Sequence, residues 1–319
     1  MNGDASSYHT PVLLAEALAL LAPHPDGVYL DGTLGGGGHA EAILMASQPT
    51  GRLVALDRDP AAIAYARNRL ARFGDRVQFH ETNFAELEAV PGLGAIHLDG
   101  ALLDLGLSSE QINDLARGFS YRQDAPLEMR MGPRGDTARD MLTRADLSDL
   151  TTWFRLYGEE RHAARIARAI IRERERAPID TTGQLRRIVE AAVPGPTHSL
   201  KSVARVFQAL RIVVNDELTA LDTGLRQCVA RLNHGARLVV IAYHSLEDRI
   251  VKHFFRDLAA DCVCPPDFPV CRCDKVAEAV VLTRRAVRPA ASEVAANPRA
   301  RSARLRAIER RLAPAGAAS

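Results

Sequence analysis

Short runs rich in β-branched and apolar residues alternate with helical patterns along the first third of the chain. Four such runs are VYLDGT, RLVALDRD, VQFHET and ALLDLG, which end near Thr33, Asp59, Thr82 and Gly106. Apolar residues at spacings of three and four predict a helix over about 39–46 and a second helix that begins with Asp59 and Pro60. Repeated strand-helix-strand units of this kind are typical of a doubly wound parallel sheet.

The alternation stops after residue 113 and returns only in the strand pattern ARLVVIAYHS, over residues 236–245. The residues between show helical periodicity and almost no strand signal. A sheet that is interrupted in this way predicts two domains. We expect an α/β domain formed by residues 1–113 and 216–319, and an inserted helical domain formed by residues 114–215.

The composition is that of a folded globular protein. Of the 319 residues, 47% are apolar and 25% are charged, so the chain can bury a core. No apolar run approaches the roughly 20 residues that a membrane helix needs, and Met1 to Tyr8 lack the pattern of a signal peptide. We therefore expect a cytoplasmic protein that does not contact a membrane.

The small net charge of +2 conceals a contrast between two parts of the chain. Residues 1–113 hold 14 acidic and 6 basic residues, whereas the remainder holds 25 acidic and 35 basic residues. We expect the basic excess in the inserted helices and in the C-terminal segment, where residues 284–311 contain 9 arginines and 2 glutamates. Such an excess favours a polyanionic partner for this region.

One predicted helix of the insert, EERHAARIARAIIRERER, carries its charge in a regular pattern. Ala163, Ile166 and Ile170 form an apolar stripe. A second stripe consists of Arg161, Arg165, Arg168, Arg172 and Arg176. Such a face can bind phosphates, but it can equally be a solvated surface whose arginines pair with neighbouring glutamates. The pattern alone leaves both interpretations open.

The segment YLDGTLGGGGHA has the form of a strand that leads through a glycine-rich turn into a helix. Asp31 stands at the end of this strand, where its carboxylate would repel a dinucleotide pyrophosphate and suits a cationic ligand such as the amino end of S-adenosylmethionine. Asp57 ends the next strand, at the position where an acidic side chain accepts hydrogen bonds from a ribose. The segment predicts a nucleoside cofactor site, and a purely structural turn is the alternative.

Two further carboxylates, Asp99 and Asp104, occur in the fourth strand region, LDGALLDLG. Ligands of open α/β sheets bind near the carboxyl ends of the strands. Either carboxylate could therefore orient a substrate amino group or the cofactor, and either could instead be a helix cap or a turn residue.

Four of the five cysteines crowd into the segment CVCPPDFPVCRC. Two C-x-C pairs separated by six residues could bind zinc through converging thiolates. Zinc knuckles more often contain C-x-x-C, so the default expectation is free reduced thiols and no metal, with zinc as the alternative. The residues concerned are Cys262, Cys264, Cys271 and Cys273.

Several long motifs, in a fixed order, resemble those of the bacterial 16S rRNA cytosine-N4 methyltransferases. They include HTPVLLAEAL from His9, DGTLGGGGHA from Asp31, ALDRDPAAI from Ala55, and DGALLDLGLSSEQIND followed by RGFSYRQDAPLEMRM. Further along the chain are LYGEERHAARIARAI, FQALRIVVNDEL, YHSLEDRIVKHFF and NPRARSARLRAIER. The resemblance extends over nearly the whole chain. It departs from the family pattern at Ala125, Glu128, Gly132 and Ala204, which lie outside the cofactor positions that it implies.

The resemblance implies a class I S-adenosylmethionine-dependent methyltransferase fold, with a helical domain inserted after the fourth strand. It implies S-adenosylmethionine as the cofactor and a reaction that requires no metal. The implied cofactor-binding residues are Gly37, Gly38, His39, Asp57, Phe84, Asp104 and Gln111.

The implied reaction is methyl transfer to N4 of a cytidine in the decoding region of 16S rRNA, within the 30S subunit, without DNA or a membrane as partner. The candidates for accepting a proton or facing the target base are Asp99, Asp104, His244 and Asp248. Two alternatives belong to other classes. An NAD-dependent oxidoreductase would need the glycine phosphate loop without Asp31, and a non-catalytic RNA-binding module would not need the cofactor constellation at all.

Overall fold

Seven strands form one mixed sheet in the computed structural model, which describes residues 11–93, 96–265 and 270–311. The strands are β1 (Val28–Asp31), β2 (Arg52–Asp57), β3 (Val77–Glu81), β4 (Leu98–Asp104), β5 (Leu232–Ala242), β6 (Ala279–Val281) and β7 (Arg304–Arg310). Their order across the sheet is β3-β2-β1-β4-β5-β7-β6. The first five are parallel, and β7 runs antiparallel to both of its neighbours. The predicted class I methyltransferase fold is confirmed.

Twelve α-helices accompany the sheet within the described ranges. They are α1 (Leu14–Leu21), α2 (Gly38–Ala46), α3 (Pro60–Arg69), α4 (Ser109–Asn113), α5 (Ala138–Arg144), α6 (Leu147–Leu156), α7 (Ala163–Arg174), α8 (Thr182–Ala192), α9 (Pro196–Asn215), α10 (Glu217–Arg231), α11 (Ser245–Ala259) and α12 (Ala291–Ala296). Local signals explain several of their ends. Asp59, for example, begins α3 by accepting a hydrogen bond from the Ala61 N–H, with Pro60 in the first turn.

The chain divides into two compact units, which we call unit 1 (residues 1–106 and 219–319) and unit 2 (residues 107–218). Unit 2 begins before the predicted residue 114 and ends after the predicted residue 215. Its described residues contain helices and no strand of the sheet. Its core is formed by apolar side chains of α5 to α9 together with Leu127 and Met129.

The core of unit 1 lies on both faces of the sheet. Alternate residues of β2 point to opposite sides, so that Leu53 and Ala55 pack in one cluster while Val54 and Leu56 pack in the other. Burial on both faces explains why the parallel strands are almost continuously apolar in sequence. Helices α1, α2 and α3 contribute to the first cluster, and α10 and α11 contribute to the second.

The charge contrast along the chain does not coincide with the two units. Unit 1 contains 23 acidic and 23 basic residues, and unit 2 contains 16 acidic and 18 basic residues. The basic excess lies mainly in residues 219–319, with 17 basic and 10 acidic residues. The predicted insert, residues 114–215, holds 18 basic and 13 acidic residues. Unit 2 also includes Glu110, Asp216 and Glu217, so the basic excess of the inserted helices falls to 2.

The arginine-rich C-terminal segment supplies a strand of the sheet, which the sequence reading missed. Arg304 and Arg306 of β7 both bind Asp248 of α11. The Asp248 Oδ1 lies 2.6 Å from the Arg306 Nε, and its Oδ2 lies 3.0 Å from an Arg304 guanidinium nitrogen. At least part of this basic segment therefore neutralises a carboxylate inside unit 1 and is not available to an external polyanion.

Within the part of the chain that is described, no helix is long and apolar enough to cross a bilayer.

We predict that Asp248→Ala lowers the free energy of unfolding by about 3 kcal/mol or more, because it leaves the Arg306 guanidinium, only 11% exposed, without its partner. The control is Glu309→Ala, which breaks the more exposed pair with Arg237 and is expected to cost less than about 1 kcal/mol. Urea titrations of both variants measure the difference. Equal losses would contradict the role assigned to Asp248.

Candidate active site

Three carboxylates lie where three neighbouring strands end. Asp31, Asp57 and Asp104 are the last residues of β1, β2 and β4, and β1 lies between the other two strands. In the register, Asp31 is opposite Ala55 of β2 and Leu102 of β4. Because parallel strands end at a common edge, these side chains belong to the same edge of the sheet, where open α/β sheets bind their ligands.

The glycine turn connects this edge to α2. Gly35 and Gly37 have φ angles of 48° and 73°, which L-residues with a side chain rarely adopt, and Gly37 is the N-cap of α2 without any side-chain cap. The Gly35 N–H donates to Asp57 Oδ2 over 2.8 Å. A side chain at Gly38 would place its Cβ 2.3 Å from the Pro11 ring. The turn is therefore fixed against β2, and Gly37 and Gly38 bring no side chain to the start of α2.

Asp31 is almost completely buried, with 1% of its surface exposed. Its Oδ1 accepts a hydrogen bond from the Thr33 N–H over 3.1 Å, whereas its Oδ2 has no partner among the described residues. Burial raises the pKa of this carboxyl to about 7, the Thr33 hydrogen bond partly opposes the shift, and the charge of Asp57 adds to it. A buried acceptor without a donor is costly, so this oxygen is suited to a ligand that brings a donor or a positive charge.

The other two carboxyls are shifted in the same direction. Burial raises the pKa of Asp57 to about 6, although the N–H groups of Asp59 and Gly35 stabilise its charged form. Burial raises the pKa of Asp104 to about 7; the Tyr243 hydroxyl opposes this shift, and the charge of Asp31 adds to it. Neighbouring carboxylates that are partly removed from water resist simultaneous ionisation, so a cation among them favours their charged forms.

Tyr243, the residue directly after β5, was missed by sequence reasoning. Its hydroxyl donates to Asp104 Oδ1 over 2.9 Å, and burial raises the pKa of Tyr243 well above 10, so it remains a donor. The ring lies against Gly106, where a Cβ would be 3.3 Å from the ring. The available signal was its position, because Tyr243 directly follows a parallel strand next to β4 and therefore lies at the same edge.

His39, in the first turn of α2, approaches Asp104 from the other side. Its Nε2 lies 3.2 Å from the Val12 carbonyl oxygen, and its Nδ1 lies 3.5 Å from Asp104 Oδ2. A carbonyl can only accept, so Nε2 carries the proton of the neutral ring. Burial lowers the pKa of His39 to about 4, so the ring is neutral near pH 7 and adds no positive charge to the site. His39 thus contributes its side chain as well as the first-turn backbone.

Phe84 follows β3 at the same edge. Its position is set by two glycines, because a Cβ at Gly32 would lie 3.1 Å from the Phe84 Cβ and a Cβ at Gly224 of α10 would lie 2.3 Å from its ring. The half-buried ring packs against one face of the sheet core. It therefore offers an apolar surface close to the ends of β1 and β3.

The structure separates Asp99 from this group. Asp99 lies at the beginning of β4, about 16 Å from Asp104 at the usual rise per residue. Its Oδ2 accepts from the Val28 N–H and its Oδ1 from the Asn233 side chain, both over 2.9 Å. The prediction that Asp99 is catalytic is therefore wrong. Asp99 satisfies polar groups at the opposite edge, and the error arose because the strand begins one residue before it.

The prediction that Asp248 is catalytic is also wrong, for a different reason. Burial alone would raise its pKa, but Arg306 and then Arg304 lower it through hydrogen bonds and charge, and both of its oxygens are occupied by these arginines. It joins α11 to β7 and is unsuited to accept a proton from a substrate.

His244 is the second residue after β5 and the N-cap of α11. Its Nδ1 lies 3.4 Å from the Glu247 backbone nitrogen, and its Nε2 lies 3.0 Å from Glu247 Oε1. Of the four predicted catalytic residues, Asp104 and His244 are at the carboxyl edge of the sheet. The geometry shows a capping role for His244, and a role in the reaction stays a prediction.

Gln111 belongs to unit 2, unlike the other predicted cofactor residues. It forms a capping box at the start of α4, where its side chain accepts from the Ser108 N–H over 3.0 Å. Its predicted role towards a cofactor remains a prediction.

The predicted arginine stripe forms an exposed face of α7 and its flanks in unit 2, and we call it the α7 arginine face. Guanidinium nitrogens of Arg172 and Arg176 lie 3.5 and 3.2 Å, respectively, from Glu173 Oε1. Arg161, Arg165 and Arg168 have no carboxylate at ion-pair distance within the described ranges. The solvated-pair interpretation therefore applies to one end of the face only.

Comparison with known proteins supplies the family. The model of the MraW methylase family matches residues 6–311. A protein of Heliobacterium modesticaldum called ribosomal RNA small subunit methyltransferase H is 49% identical over 311 residues, which cover 95% of this chain and 98% of that protein. A protein of the same name from Symbiobacterium thermophilum is 50% identical, with coverages of 94% and 96%.

A crystal structure of an rRNA methylase from Streptococcus thermophilus aligns with 94% of either chain, at 11% identity and a TM-score of 0.39, a similarity too low to support an argument. The family assignment rests instead on the family model and the sequence relatives, both of which extend over nearly the whole chain. The chain belongs to the MraW methylase family.

Proposed function

We propose that this protein is an S-adenosylmethionine-dependent methyltransferase that methylates N4 of a cytidine in the decoding region of 16S rRNA. The observation that carries the proposal is the buried Asp31 Oδ2, which has no partner among the described residues and lies in a group of three carboxylates with raised pKa values. This group favours a cationic ligand and disfavours the pyrophosphate of the oxidoreductase alternative. The names of the sequence relatives support small-subunit rRNA as the substrate.

The residues of the carboxyl edge fit the parts of this cofactor. Asp31 would accept from the ammonium group, and Asp57 would accept from the ribose hydroxyls, since each of its oxygens accepts one backbone N–H and keeps a second lone pair. Phe84 would lie against the adenine. The glycine turn and the start of α2, where Gly37 and Gly38 have no side chain, would bind the methionine carboxylate. When bound, the cofactor supplies an electrophilic methyl group on a sulfonium.

The nucleophile is a weak one, because the lone pair of a cytosine N4 is delocalised into the ring. Alignment of N4 with the methyl group can supply roughly 7–11 kcal/mol, and a positioned base adds to this gain. Asp104 is the candidate base that the geometry favours, because the Tyr243 hydroxyl holds one of its oxygens and its pKa lies near neutrality. Its other oxygen faces the neutral His39 ring and can accept a proton from N4.

The RNA would present its target base outside the stack, which is least costly in single-stranded elements. The α7 arginine face would bind the phosphate backbone of 16S rRNA in the 30S subunit. An open cavity of about 400 Å³ adjoins it between α7 and α8, lined by Arg172 and Arg187 and also by Glu173. The arginines without carboxylate partners are those that gain most from a phosphate, since no internal ion pair has to be broken.

We predict that Asp104→Asn lowers the methylation rate at saturating cofactor by at least about a hundredfold, because the amide cannot accept a proton. The assay uses labelled S-adenosylmethionine and 30S subunits that lack the modification, followed by nucleoside analysis. Asp99→Asn is the control and keeps the wild-type rate, since Asp99 lies at the opposite edge. Label on protein, or on nucleosides other than N4-methylcytidine, would exclude the proposed function, and a fully active Asp104→Asn variant would exclude Asp104 as the base.

We predict opposite effects of Asp31→Asn on cofactor binding and on stability. A buried carboxyl with a raised pKa stabilises the folded state in its protonated form, so this contribution is complete below the ordinary pKa of 3.8 and is lost as pH rises through about 7. Without cofactor at pH 8, the free energy of unfolding of the variant should therefore exceed that of the wild type by on the order of 2 kcal/mol or more. Below pH 4 this difference should disappear.

The same variant should bind S-adenosylmethionine at least about tenfold more weakly at pH 8, because it loses a charged hydrogen-bond acceptor. Titration calorimetry measures the affinity, and urea unfolding measures the stability. Asp99→Asn should change neither in this pH-dependent way. Wild-type affinity of Asp31→Asn at pH 8 would remove Asp31 from the cofactor site.

We predict that replacing Arg165, Arg168 and Arg172 by Gln weakens association with 16S rRNA and lowers the slope of log affinity against log salt by about 2. The matched control replaces three other arginines of the same unit by Gln. They are Arg139, Arg144 and Arg186, each of which is paired with a carboxylate. It removes the same charge. Equal effects of both triple variants would show that net charge, and not the α7 arginine face, determines binding.

A further inference from the structure

The four cysteines of the C-x-C pairs converge on one point of unit 1. The pairs lie in the connection between α11 and β6, and the Sγ atoms of Cys262, Cys264, Cys271 and Cys273 all lie within 4.8 Å of one another. The fifth cysteine, Cys228, is buried in the core elsewhere. We propose that these four thiolates bind a structural Zn²⁺ ion, although the sequence pattern favoured free thiols.

The distances between the sulfur atoms fit a tetrahedral ion. With Zn–S bonds of about 2.3 Å, tetrahedral geometry places the sulfur atoms about 3.8 Å apart. In the structure the separations are 3.4 Å for Cys262 and Cys271, 3.6 Å for Cys271 and Cys273, 3.7 Å for Cys262 and Cys273, and 4.0 Å for Cys264 and Cys271. They lie on both sides of the tetrahedral value, and all are far longer than the roughly 2.0 Å of a disulfide.

The backbone around the sulfurs is arranged reciprocally. The N–H of Val263, which follows the first cysteine of one pair, points to Cys273 Sγ over 3.3 Å, and the N–H of Arg272, which follows the first cysteine of the other pair, points to Cys264 Sγ over 3.4 Å. A third N–H, that of Cys264, lies 3.3 Å from Cys262 Sγ. N–H groups directed at sulfur stabilise thiolates and orient them as metal ligands.

The ion would hold together a connection that little else stabilises. The described residues between Ala259 and Ala279 form neither helix nor strand, and the connection returns to α11 through the Glu278 N–H, which donates to the Leu258 carbonyl over 2.8 Å. Cys262 and Cys271 are exposed, so little apolar burial holds the two pairs together. Four protein ligands leave no open position, which is typical of a structural site, and soft thiolates select zinc over magnesium or calcium.

The test is metal analysis of the full chain, made in a reducing cytosol and purified without chelators and without a polyhistidine tag. One zinc per chain is expected. Cys262→Ser and Cys271→Ser should each lower the zinc content after dialysis at least about tenfold, because a three-thiolate site holds the ion more weakly. Cys228→Ala is the matched control and should retain the full zinc content.

Replacement by Co²⁺ gives a second measurement, since tetrahedral thiolate coordination produces intense visible absorption that the serine variants should lose. Four reactive thiols in protein to which zinc has been supplied, two disulfides, iron in place of zinc, or zinc retained by the serine variants would each overturn the proposal. These measurements do not depend on methylation, so their outcome is separate from that of the proposed function.

Discussion

Partial removal of three carboxylates from water is the constraint around which the functional edge of this protein is organised. Asp31, Asp57 and Asp104 end three neighbouring parallel strands, and the sheet brings their charges to one edge. Burial raises the pKa of each, and the charge of Asp57 raises that of Asp31 further. The ionised form of such a site is unfavourable without a cation and favourable with one. The ligand-free protein therefore gives up some of its free energy of unfolding at the place where a ligand is to bind.

The rest of unit 1 compensates for this local cost. Backbone N–H groups at Gly35 and Asp59 stabilise Asp57, and the Tyr243 hydroxyl stabilises Asp104. Both faces of the sheet are covered by apolar clusters, and the buried pair of Asp248 and Arg306 attaches α11 to β7. A well-packed scaffold therefore supports the carboxylate edge, which is how a reactive site keeps its geometry before a ligand arrives.

Charge serves different purposes in different parts of the chain. The arginines of β7 largely neutralise carboxylates of unit 1, while Arg161, Arg165 and Arg168 of the α7 arginine face have no carboxylate partner among the described residues. Unit 2 has a net charge of only +2 by composition, so its capacity to bind a polyanion depends on how the arginines are distributed over its surface. Total charge is a poor guide to such a surface, because ion pairs formed within the fold cancel much of it.

The sequence by itself determined the alternation of strands and helices, the interruption by a helical insert, the family, and the strand-end positions of Asp31, Asp57 and Asp104. These features are local or periodic, so the order of residues contains them. Tertiary structure alone decided which polar groups meet. It placed Asp99 at the far end of β4, engaged Asp248 with arginines more than fifty residues away, brought Tyr243 to Asp104 across 139 residues, and gathered four thiols at a tetrahedral spacing. The physical reason is that hydrogen bonds, ion pairs and pKa shifts depend on distances of a few ångströms between residues remote in sequence, and only the packed sheet fixes those distances.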